Sequence, residues 1–354
     1  MMRLRPILAG VVSALVLTSE SDMIQAQENG IANRRPIMSA ACRTCIWGPL
    51  AELTRDVMAP YGYDVQVCYN CNRSLSVPVV AERRETPPLN DWDIRLGDPD
   101  PPRGRVDFGV TNSHGLWFAY AGLQGTYRNN PQKQLRLIAY IEDPHPLQVA
   151  VRKGSGIADL KEISARKMKM TVLADRTNLA LPILEYYGIT RPQLESWGGR
   201  LKEGFYEDDA SNREGDFDVV ITAHGGLANN IENDHLYELS QKHDLVFIDL
   251  APDLMKTMAE TYQLEFATLP IGLLKGMDRR MTTLVRNGQS IYGRDDLPED
   301  FAYTVAMALD KSRAKFKYLN RPYFYDTNTV WKGIGGIPLH KGAERYYREA
   351  GYIK

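Results

Sequence analysis

KMTVLADRTNLALPILEYYG, residues Lys169 to Gly188, contains a strand, a loop and a helix in one run. Lys169–Leu173 ends in an apolar, β-branched segment that suits a buried strand, and Ala174–Asn178 is polar. Leu179–Tyr187 carries apolar residues at helical spacing, and Gly188 supplies the stop. A strand that feeds a helix through a short polar loop is the unit of an α/β sheet. The same alternation extends in both directions. Upstream, Pro36–Ala40 and Tyr63–Val67 read as strands around a helix that starts near Pro49, presents Leu50, Leu53 and Val57 on one face and stops before Gly62. Val106–Val110, Leu135–Ile141 and Leu147–Arg152 follow as strands, with a helix at Leu116–Ala121.

Downstream of Arg152 the pattern gives a helix around Ile157–Ile163, strands at Phe217–Ile221 and Leu245–Ile248, and a helix from Pro252 to Tyr262. From about Ile271 the chain is expected to return to its first unit, with a strand at Met281–Val285 and helices at Pro298–Lys315 and Gly342–Ala350. The expected architecture is therefore α/β and two-lobed: two mixed, mainly parallel sheets joined by a hinge. Residues 27–150 and 269–354 form one lobe and residues 151–268 the other. Two crossings between lobes imply closure on a ligand. The Pro- and Arg-rich stretch 82–105 reads as a surface loop.

The chain of 354 residues is 44% hydrophobic and 25% charged with a net charge of -1, which suits two cores and excludes a disordered chain or a basic nucleic-acid binder. Arg3 and Arg5 precede an apolar stretch from Pro6 to Leu17 and polar residues up to Ala26. That order reads as a secretory signal peptide over 1–26, too short in its apolar part to span a bilayer. The mature chain is expected in the periplasm, without membrane insertion.

In open α/β sheets, ligands bind beyond the carboxyl ends of strands. The loops at those ends are Ala41–Trp47, Cys68–Ser74, Thr111–Gly115, Ala174–Asn178 and Thr222–Gly226. They offer Arg43, Thr44, Asn70, Asn72, Asn112, Ser113, Asp175, Arg176, Thr177, Thr222 and His224 as candidate ligand contacts, together with backbone amides at helix starts, a donor set that suits an anion. Arg176 is the preferred partner for a carboxylate because a guanidinium binds it through two hydrogen bonds, with Asp175 orienting it and Arg43 as the second choice. The competing reading is a surface ion pair capped by Asp175 or Thr177, and for Asn112, Ser113, Thr222 and His224 it is local capping. Trp47 and Trp117 are candidate pocket walls or core aromatics.

Four cysteines fall in two of these loops as Cys42-x-x-Cys45 and Cys68-x-x-Cys71. Export favours disulfides, within each pair or across the loops. The same spacing also admits a four-cysteine metal site or a thiol redox pair. No nucleophile elbow, phosphate loop or His-Glu-x-x-His helix occurs, so neither an enzyme nor a cofactor is expected.

The C-terminal run Ile337-Pro338-Leu339-His340-Lys341-Gly342-Ala343-Glu344-Arg345-Tyr346-Tyr347-Arg348-Glu349-Ala350-Gly351 resembles the ending of the TAXI family of TRAP-transporter solute receptors. Gly104–Val110, Val149–Lys153, Gly156–Lys161, Leu184–Thr190 and Phe301–Val305 fit the same family in order. The resemblance implies a periplasmic-binding fold of the second type, no catalysis, a small carboxylate or acidic amino acid as ligand, and the membrane permease subunits of a TRAP transporter as partner. Ala174–Asn178 and Ala41–Cys45 depart from the family's glycine-rich loops, so the pocket is expected to differ. Two rivals share the fold: a metal- or thiol-dependent protein built on the four cysteines, and a ligand sensor that docks on a signalling partner.

Overall fold

The computed structural model describes residues 31–40, 47–69, 71, 76–87, 101–123, 127–174, 179–203, 216–223, 235–319 and 324–354. The signal peptide expected over 1–26 lies outside them. Strand β1 (Ile37–Ser39) leads toward helix α1 (Trp47–Met58), whose Leu50, Leu53 and Val57 form the buried face that their spacing requires. Then come β2 (Gln66–Cys68), α2 (Ser76–Ala81), β3 (Phe108–Asn112), α3 (Ser113–Ala121) and β4 (Leu135–Ile141). A two-residue strand β5 (His145–Pro146) leads into β6 (Gln148–Arg152), α4 (Lys161–Ala165), β7 (Thr171–Ala174), α5 (Ala180–Tyr186), α6 (Arg191–Ser196), β8 (Arg200–Glu203) and β9 (Val219–Thr222). The rest runs α7 (His235–Lys242), β10 (Leu245–Phe247), α8 (Pro252–Tyr262), β11 (Glu265–Leu269), β12 (Met281–Arg286), β13 (Gln289–Arg294), α9 (Glu299–Lys311) and α10 (Lys341–Glu349).

Two five-stranded mixed sheets organise two α/β lobes. The first has the order β2-β1-β3-β13-β4 and the second β10-β6-β9-β7-β8. In each, two strand pairs are parallel and two antiparallel. Both faces of each sheet are covered. On the first, α1, α9 and α10 bury Leu50, Phe301, Val305 and Tyr347 on one side, while α2 and α3 bury Val80 and Leu116 on the other. On the second, α4, α5, α6 and α8 bury Ile163, Ile183, Leu194 and Met258 against one face, and α7 buries Leu236 and Leu239 against the other. Apolar residues alternate between these clusters along the strands, as Ile37 and Met38 do in β1.

A third sheet, β11-β12-β5, is antiparallel and lies between the two. Met281–Arg286 therefore does not join the first sheet, as the sequence suggests. It pairs with β11 and β5, and the first sheet receives β13 instead. Gln289, Ser290 and Gly293 interrupt the apolar pattern of β13 and hide it from a periodicity reading. The helix expected at Leu116 starts three residues earlier, because Asn112 caps it: its Oδ1 accepts from Gly115 N at 2.6 Å. Among the described residues, no helix is long and apolar enough to cross a membrane.

Candidate ligand site at the lobe junction

Of the residues predicted to touch a ligand, Arg43, Thr44, Asn70, Asn72, Asp175, Arg176, Thr177 and His224 lie outside the described residues. Asn112 and Ser113 are placed at the end of β3 and the start of α3, and both side chains have intramolecular partners. Asn112 is the helix cap, and Ser113 Oγ shares a 2.8 Å hydrogen bond with Ser290 Oγ on β13. Thr222 ends β9 and is buried. The expected loop Thr111–Gly115 is thus strand end and first helical turn, which leaves His114 on α3. Cys68 and Cys71 are joined to each other by a disulfide at the end of β2. Neither sulfur is then a thiolate for a metal. Cys42 and Cys45 lie outside the described residues.

The chain crosses between lobes at β4–β5–β6 and at β12–β13, and the crossings converge on a buried polar cluster. Asp143, with 0% exposure, accepts on Oδ2 from His145 Nε2 and from Gln289 Nε2, both at 2.7 Å. Gln289 Oε1 accepts from Trp47 Nε1 at 2.7 Å. Trp47 opens α1, so this relay ties the start of that helix to the lobe junction. The turn Asn287-Gly288 closes the crossing: Asp143 N donates to Asn287 Oδ1 at 3.0 Å, Gly288 N to Asp143 O at 3.2 Å, and Ser113 N to Gly288 O at 3.0 Å. Gly288 sits at φ +84, and any Cβ there would enter the Tyr140 ring.

Arg286 ends β12 and is 4% exposed. Its Nη2 donates to Ala223 O, one residue past the end of β9, at 3.3 Å. Leu284 and Arg286 share a face of β12 by strand alternation, and His114 and Phe118 share a face of α3 by helical spacing. Leu284 and Phe118 belong to the same core, and the Arg286 charge acts on the buried His114 ring. On its other side the His114 ring meets the second lobe, where Nε2 donates to Gln263 O at 3.2 Å, just past α8. Trp117 of α3 donates to Thr261 O at 3.4 Å, and Phe118 meets Tyr262 edge-on at 5.7 Å. Trp117 is half-buried in this contact.

Burial first, then the Arg286 charge and that of His145, push His114 down to about 3, against the pull of the Gln263 carbonyl. His114 is therefore a neutral imidazole at physiological pH. Burial opposes the charge on Asp143, yet the His145 charge, the bonds from His145 and Gln289, and Arg286 together hold its carboxyl below the usual range. The site thus carries a neutral ring beside a compensated ion cluster. A pH prediction follows for His114. Its folded pKa lies below the unfolded value, so its contribution to stability is complete above about pH 6.5 and is lost as the pH falls toward 3. Across that window the wild type should lose about 1.4 kcal/mol per pH unit more than H114Q. Urea unfolding of both proteins at several pH values measures this, and parallel curves would contradict it.

Sequence reasoning overlooked Asp143, His145, Arg286 and Gln289. The available signal was the run Arg286-Asn287-Gly288-Gln289 between two β-rich segments, which reads as a two-residue hairpin. Here β12 and β13 do not pair with each other, and the same turn carries the chain between lobes.

Solved structures show a distant likeness. A TctC solute-binding protein from Polaromonas is 11% identical with a TM-score of 0.41, over 90% of this chain and 98% of that one. An R. palustris protein solved with adipate is 10% identical with a TM-score of 0.41, over 90% and 95%. A TRAP periplasmic solute-binding protein from Sulfitobacter, with bound β-D-galacturonate, is 11% identical with a TM-score of 0.36, over 78% and 79%. Residues 102–351, which hold β3 through α10 and with them Asp143, His145, Arg286 and Gln289, match the model of the NMT1-like family, and the chain belongs to that family.

Proposed function

We propose that the protein is an extracytoplasmic solute receptor that holds a small organic anion between its lobes and delivers it to a membrane permease of the TRAP type, without transforming it. On this reading residues 1–26 are the export signal and the mature chain works in the periplasm. Residues 27–150 and 269–354 form one lobe and residues 151–268 the other. One observation carries the reading: Arg286, buried at the end of the crossing strand β12, donates to the residue just past β9 in one sheet, and three residues further on Gln289 pairs with Asn112 at the carboxyl end of β3 in the other. Strand ends of this kind are where open α/β sheets take ligands, and a crossing strand lets one ligand report to both lobes. The TAXI-like C-terminal run supports the choice of permease. Arg176 and Arg43 remain candidate contacts.

The test is thermal unfolding of the mature protein against a panel of mono- and dicarboxylates and amino acids. A ligand that binds only the folded chain adds about 2.7 kcal/mol of apparent stability at 100 times its Kd. At least one acid should raise the melting temperature and be recovered unchanged. A panel that leaves the transition unmoved, or an acid that is consumed, would overturn the reading.

A further inference from the structure

We propose that the turn following α9 docks the protein on an anionic lipid surface, with Lys315 and Lys317 as the cations and Tyr318 and Phe324 as the rings that enter the headgroup layer. The inference goes beyond the receptor reading and does not depend on which solute the protein carries.

The stretch from Lys311 to Tyr325 holds Lys311, Arg313, Lys315, Lys317 and Arg321 and no Asp or Glu, in a chain whose net charge is -1. Its first part continues α9 as a 3-10 helix, Arg313–Tyr318. With three residues to the turn, Lys315 and Tyr318 share one edge of that helix, while Phe316 is turned into the core. Lys317 Nζ stands over the Tyr318 ring at 4.8 Å. Lys317 and Phe324 line one open cavity of about 770 Å³, together with Phe316 and Tyr352. The two lysines and the two rings thus form one continuous surface. Tyr318 is 76% exposed and Phe324 49%, so both rings present apolar area that a headgroup layer would cover.

The lysine charges are available to an outside partner. Arg313 is already paired with Asp310 at 3.2 Å and adds nothing here. The acids of the cavity are engaged within the chain: Glu142 accepts from Thr329 Oγ1 at 2.7 Å, and Asp326 from Asn328 N at 2.8 Å. Among the described residues no carboxylate pairs with Lys315 or Lys317.

Side-chain chemistry favours lipid over a protein partner. A lysine ammonium is a point charge on a flexible stem, without the planar fork that fixes one carboxylate in place. Aromatic rings beside lysines settle at a membrane boundary, the ring among the headgroups and the ammonium at the phosphates. Position in the fold agrees. Glu142 N donates to Phe324 O and Phe324 N to Glu142 O, both at 3.0 Å, and the next residue is Asp143 of the lobe junction. A bilayer against this patch therefore lies at the carboxyl end of β4, the end from which the chain crosses to the other lobe.

Sedimentation of the mature protein with vesicles of phosphatidylcholine, with and without phosphatidylglycerol, tests this. The anionic vesicles should bind roughly tenfold or more tighter, and added salt should erase the difference. K315E/K317E should lose roughly thirtyfold of that binding, about fivefold for each charge removed. K167E/K256E makes the same change in net charge on exposed lysines of the other lobe and should bind as the wild type does. Y318S should weaken binding to both kinds of vesicle. If K315E/K317E does not fold, K315Q/K317Q should show the same direction of change. Phosphatidylglycerol that adds no affinity, or equal losses in K315E/K317E and K167E/K256E, would overturn the inference. Binding to native membranes but not to vesicles of the lipids extracted from them would assign the patch to an acidic protein and overturn it as well. These outcomes are independent of the carboxylate panel, so failure here leaves the receptor reading standing.

Discussion

Replacing Asp143 with alanine should cost about 3–5 kcal/mol of folding stability, the expected cost of removing one partner from a buried ionic cluster. Asp143 has no exposed surface, and its carboxylate takes both the His145 and Gln289 protons on one oxygen. Without it, two buried donors lose their acceptor, and the Arg286 charge loses the anion that lowers its cost. The damage spreads along the relay, because Gln289 is then free to turn away from Trp47. Asp143→Asn should cost less, since an amide oxygen still accepts one of the two bonds. Urea unfolding of both variants at pH 7 measures the difference. A loss below about 1 kcal/mol for Asp143→Ala would mean that water replaces the carboxylate, and the cluster would then be more open than its burial indicates.

The parts of this fold that were legible in the sequence are those where one force acts alone. Leu50, Leu53 and Val57 recur at helical spacing because they face one core, and Val172, Leu173 and Ala174 are apolar in succession because both faces of β7 are covered. The α/β class and the long helices follow from such runs. The junction was not legible. Gln289 and Ser290 look like interruptions in a strand because their partners, Asp143 and Ser113, lie far away in the chain and on other elements. Asp143-Pro144-His145-Pro146 reads as a loop, and only the crossing topology makes it a buried acid with its own base. Strand ends that feed loops point to Arg43 and Arg176, which lie outside the described residues; Arg286 ends a strand, and nothing local marks its side chain as reaching the other lobe. His114 was placed in a loop because the Asn112 cap, which pulls it into a helix, depends on a backbone direction that composition does not encode.

Gly342→Ala should destabilise the protein by about 3 kcal/mol, although the same change in an ordinary helix stabilises by about 0.4–1 kcal/mol. Gly342 lies in the first turn of α10, whose cap is His340: Nδ1 accepts from Gly342 N at 3.2 Å, and Nε2 donates to Leu297 O at 3.1 Å. A Cβ at this position would strike the Glu299 carbonyl oxygen and come within 2.8 Å of Tyr303 N, both on α9. The obstacle is backbone on both sides, so no side chain can rotate out of the way, and the helices must separate. Their separation would draw Tyr347 from its buried place, where its hydroxyl donates to Ile138 O of β4 at 3.0 Å. Two residues past the end of that strand stands Asp143, so the C-terminal run props the strand that leads into the junction. Chemical denaturation distinguishes the two forces by sign: helix propensity alone raises the midpoint, and the close approach of α10 to α9 lowers it.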